Sequence, residues 1–84
     1  MFAKIIADQK HTVQMYTDSL QAYINDAIIY NTQAARDSFG AAYCDNRVVR
    51  SRSMVEHINI RIKEAEAIIA QATLALEVSS APVS

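Results

Sequence analysis

Tryptophan is absent, and glycine, proline and cysteine occur once each in 84 residues. Apart from Gly40 the chain therefore has no glycine or proline to interrupt a helix until Pro82. A single cysteine, Cys44, excludes an internal disulfide and fits a reducing, cytoplasmic setting. The net charge of −1 leaves no general excess of basic groups for extended nucleic acid. No apolar run reaches the length of a membrane span. Lys4, Asp8 and Lys10 interrupt the amino-terminal segment, where a secretory signal would be continuously apolar.

Catalytic signatures are equally scarce. Cys44 has no histidine spaced to act as its base. Asp8 and His11 share a helical face, yet the segment expected opposite them, near Leu74, offers no second carboxylate–histidine pair for a metal. His57 directly follows Glu56, and on a helix the two side chains diverge. The residues therefore point away from an enzyme and call for no cofactor or metal.

What the chain does have is apolar side chains, 51% of residues against 20% charged, arranged in seven-residue repeats on both sides of Gly40. In the first half Phe2, Gln9, Tyr16, Tyr23, Tyr30 and Asp37 take one seam position, and Ile6, Val13, Leu20, Ala27 and Ala34 the other. In the second half Val48, Val55, Ile62, Ile69 and Leu76 alternate with Ser51, Ile58, Ala65 and Ala72. The periodicity predicts an all-α, coiled-coil-like antiparallel two-helix hairpin. Helix one covers about 2–38, a connection 39–46, and helix two about 47–78, in a single domain 1–78 with a flexible tail 79–84. The three tyrosines read as seam residues whose hydroxyls reach the edge of the pair.

Size alternation suggests a register in which Tyr30 meets Val55, Tyr23 meets Ile62, Leu20 meets Ala65 and Val13 meets Ala72. Gly40 is expected to end helix one, and Asp45 or Asn46 to cap helix two. A weaker start signal, Ser53 followed by Glu56, would divide helix two near residue 52.

Apolar residues also fall outside the seam. Ile60, Ala67 and Leu74 recur on the outer face of helix two, and Ile24 and Ile28 lie beside the stripe on helix one. A helix apolar on two sides is normally covered on two sides. The expectation is a homo-oligomer, an antiparallel dimer forming a four-helix bundle or a higher assembly, or else capture of a helical protein partner. Arg47, Arg50 and Arg52 near the start of helix two, with Glu64, Glu66 and Glu77 toward its end, oppose the helix dipole, and Asp37 is expected beside the arginines. Antiparallel packing of two hairpins would relieve the remainder.

The primary functional reading is a non-enzymatic interaction module, such as a small chaperone, adaptor or inhibitor. The alternative is a helical oligomer that binds or sequesters a small anionic ligand such as a nucleotide, held by Arg47, Arg50 and Arg52 with Tyr43 stacking on it.

Overall fold

The computed structural model describes residues 1–80. It is all helical, without strands among the described residues: α1 spans Phe2–Tyr30, α2 Gln33–Phe39 and α3 Ala41–Ser80. The molecule is a rod with extents of 70 × 15 × 14 Å, most of which is the length of α3 at about 1.5 Å per residue. Its helices follow from a composition in which Gly40 is the only glycine and proline waits until position 82. No described helix is long and apolar enough to cross a membrane.

The first helix stops earlier than its repeat. The apolar phase continues through Ala34 and Asp37, but both are exposed, and the chain leaves α1 at Asn31. Thr32 makes the break. Its hydroxyl donates to the Ile29 carbonyl at 2.7 Å and accepts from the Ala35 amide at 3.2 Å, in the extended conformation of a helix N-cap. Thr32→Ala should therefore cost about 0.5–2 kcal/mol, the range for losing such a cap, as read by urea unfolding.

Gly40 separates α2 from α3 alone. Its amide donates to the Arg36 carbonyl at 2.9 Å, and its own carbonyl accepts from the Cys44 amide at 3.1 Å. With φ 90° and ψ 147° it lies outside the ordinary left-handed helical region, in territory that is essentially glycine's. A Cβ there would meet nothing within 4 Å, so the cost of Gly40→Ala is backbone strain and not a clash. Denaturant unfolding should show a loss of about 1–3 kcal/mol.

These two breaks correct the expected boundaries. The connection is not an open 39–46 loop but a turn at Asn31–Thr32, the short α2, and Gly40. Helix two begins at Ala41, so Asp45 and Asn46 lie within it and cap nothing. It runs unbroken through Ser53, and Ser79 and Ser80 extend it, while positions 81–84 of the expected tail lie outside the described residues. Arg47 is thus well inside α3. The dipole weakens beyond the first turn, and the conflict inferred for the arginines largely disappears.

Along the rod α3 runs back beside α1. Tyr16 shares a groove with Arg61 and Ala65, and Phe2 and Ile5 share one with Ala72 and Ala75. Ala65 therefore lies beside Thr12 and Tyr16, not Leu20, a displacement of about one heptad from the expected register. The earlier end of α1 and the earlier start of α3 account for it.

Burial is concentrated on α3. Val48, Ser51, Ile58, Ala65 and Ala72 are buried there, with Cys44 fully so, and α2 buries Ala35. No residue of α1 is buried. Its stripe of Ile6, Val13, Tyr16, Leu20, Tyr23 and Ala27 is only half covered, so the seam is shallow.

Candidate functional site

The bend end of the rod gathers the polar candidates. Arg47 lies between the two long helices, donating to Asp26 Oδ2 at 2.7 Å, with its guanidinium 4.6 Å from the centre of the Tyr30 ring. Its hydrogen bond to Asp26 raises the guanidinium above its ordinary pKa, against the opposing effect of desolvation. A raised pKa in the folded state means that the guanidinium is fully charged at neutral pH and that its side of the pair is given up only in strong alkali. Tyr30, Phe39 and Tyr43 form a triangle of rings with centroids 5.7–5.9 Å apart, in the tilted and edge-on geometries aromatic pairs favour. A second ion pair, Arg36 to Asp45 at 2.7 Å, ties α2 to α3.

The four expected ligand-binding residues do not converge. Arg47 and Arg50 line one groove together with Tyr23, Asp26 and Ser51. Arg52 lines a different one, beside Glu56, Ile24 and Ile28. Tyr43 belongs to the aromatic triangle. Asp37, expected beside the arginines, instead accepts from Gln33 within α2 at 2.8 Å, and the carboxylate that meets one of them is Asp26, at Arg47. Sequence spacing could not supply the Arg47–Asp26 pair, because its partners are 21 positions apart and the contact depends on the register. Ser51 carried a visible signal, a polar residue at a seam position otherwise occupied by Ile58, Ala65 and Ala72.

The expected interface residues fall on two surfaces. Ile24 and Ile28 flank an open groove of about 390 Å³ near the bend, floored by Ala27, Val48 and Val55. Ile60 and Leu74 lie on the outer edge of α3, 56% and 62% exposed, with exposed Ala67 between them. Val78, expected beside that edge, is exposed there, and so is Ile68, which the expectation omitted. It also omitted a furrow on the adjoining flank, where Met15 and Tyr16 line one stretch and Ile68 with Ile5 and Phe2 the next. Large apolar side chains thus stand in solvent along much of the carboxyl half of α3.

Chemistry-bearing groups remain dispersed. Among the described residues no three His, Cys, Asp or Glu side chains gather as a metal would require, and the Cys44 thiol is enclosed, 0% exposed. Compared with family models, curated proteins and solved structures, the chain matches none.

Proposed function

We propose that this chain is an antiparallel, coiled-coil-like helical hairpin that works as a non-enzymatic interaction module, paired with a second copy of itself in a twofold four-helix bundle. One observation carries the reading: the 29-residue α1 buries no side chain, while Ile60, Leu74 and Val78 remain exposed on α3. Half-covered layers on one side of each helix and bare apolar stripes on another are the surfaces that a larger bundle closes. A lone pair of helices of this size has too thin a core to be robust.

The second copy would bury the stripe of Ile60, Ala67 and Leu74, in an isologous contact in which each chain offers the same face. Ile24 and Ile28 at the bend provide a further apolar edge for a helical client, as a small chaperone, adaptor or inhibitor needs. Arginine–dipole conflict gives no support, since the arginines lie too far inside α3; the exposed apolar surface does. The enclosed Cys44 thiol suits a reducing, cytoplasmic setting. Charging the stripe and measuring solution mass tests the assembly, with an outcome argued in the Discussion.

A further inference from the structure

We propose that the groove beside Arg50 binds one small tetrahedral oxyanion, phosphate or a phosphomonoester group, using Arg50, Ser51, Tyr23 and the remaining N–H groups of Arg47. The groove offers about 230 Å³ and is lined by these four residues and Asp26.

Ser51 is the observation that singles it out. It is 3% exposed, the one buried polar residue among the described side chains, at a seam position otherwise held by Ile58, Ala65 and Ala72. Thr12 and Thr17 donate their hydroxyls to the carbonyl four residues back, yet Ser51 makes no such bond, nor any other among the described residues. A hydroxyl with no protein partner must be met by water or by a ligand. Among the described residues no buried side-chain oxygen sealed from solvent lacks a partner, so the Ser51 hydroxyl reaches the groove that it lines.

Charge and size then define the ligand. Asp26 occupies Arg47 through one contact, but a guanidinium has five N–H donors, and the others are not spent on that carboxylate oxygen. Arg50 forms no ion pair among the described residues. Arg47, Arg50 and Asp26 together leave one net positive charge, enough to attract a small anion and too little to favour a polyphosphate. The space is below the roughly 300–1,000 Å³ of pockets that enclose larger ligands. The groove therefore takes a phosphoryl group and does not enclose a whole nucleotide, and Arg52 and Tyr43, which lie elsewhere, drop out of the site.

The test is a titration of the full chain with inorganic phosphate at matched ionic strength, followed by amide and arginine side-chain NMR. Saturable shifts confined to Tyr23, Asp26, Arg47, Arg50 and Ser51 are expected. Affinity should fall at least about tenfold in Arg50→Ala and severalfold in Ser51→Ala, and stay unchanged in Arg52→Ala. Phenyl phosphate in parallel separates free anion from a phosphoryl group on a larger molecule, and either must compete for Arg50. Non-saturating shifts spread over all basic residues, or equal affinity after Arg50→Ala, would overturn the site. The groove is built within one chain, so this result stands apart from the oligomeric state.

Discussion

Ile60→Asp combined with Leu74→Asp is expected to convert the assembly to single chains and to lower Tm by roughly 10 °C or more. In an isolated rod both positions are already more than half exposed, and charges added to such sites change stability by only about 0.5 kcal/mol either way. Buried against a second copy, the same carboxylates would lose their hydration without gaining a partner, at a cost of several kcal/mol each. They would also forfeit the burial of an isoleucine and a leucine, about 1.5–3 kcal/mol apiece. The two situations therefore differ by far more than experimental error. Asn59→Asp, which adds charge beside the stripe but not in it, serves as the control and should leave mass and Tm nearly unchanged. A double variant that sediments and melts like the parent would remove the stripe from the interface.

Ile58→Ala should be the most damaging single truncation inside the seam. Ile58 is 4% exposed and the largest side chain in the buried set, whereas Ile62 and Ile69 on the neighbouring seam row are only half-buried. Removing such a side chain costs about 2–5 kcal/mol, depending on how far the surroundings relax. A domain of this length has a total stability of order 5 kcal/mol, so the variant should be partly unfolded at room temperature. Ile60→Ala, two positions away on the outer edge, should cost much less in a dilute sample. Urea unfolding followed by circular dichroism reads both, and a loss below about 1 kcal/mol for Ile58→Ala would mean that the seam is not where the chain finds its stability.

The repeat around Gly40 made the helical class legible, and the row Ser51, Ile58, Ala65, Ala72 that it marked is the row the structure buries. Three features escaped it for distinct reasons. The repeat runs in phase past Asn31 into Ala34 and Asp37, although the chain has already turned, because periodicity reports which face is apolar and not whether the helix continues. Thr32, a good N-cap residue, was the local sign of that turn. Register escaped because heptad seams are nearly degenerate: sliding one helix by seven residues again sets seam positions against seam positions, and alternating sizes such as Leu20 with Ala65 fit more than one alignment. The Arg47–Asp26 pair and the groove beside Ser51 exist only in the actual alignment, so the polar site was legible as a cluster of arginines but not as a place. The separation of Arg52 from Arg50 follows from helical geometry, since two positions apart turn side chains well away from each other.

The central claim is that one folded-back chain leaves apolar helix uncovered and that a second copy covers it. Sedimentation equilibrium of the full chain over a range of concentrations tests this most directly. A mass of twice 9.3 kDa, with Tm rising with concentration as linked association requires, is the predicted result. A mass of 9.3 kDa at every concentration, with cooperative melting at a constant high temperature, would contradict it.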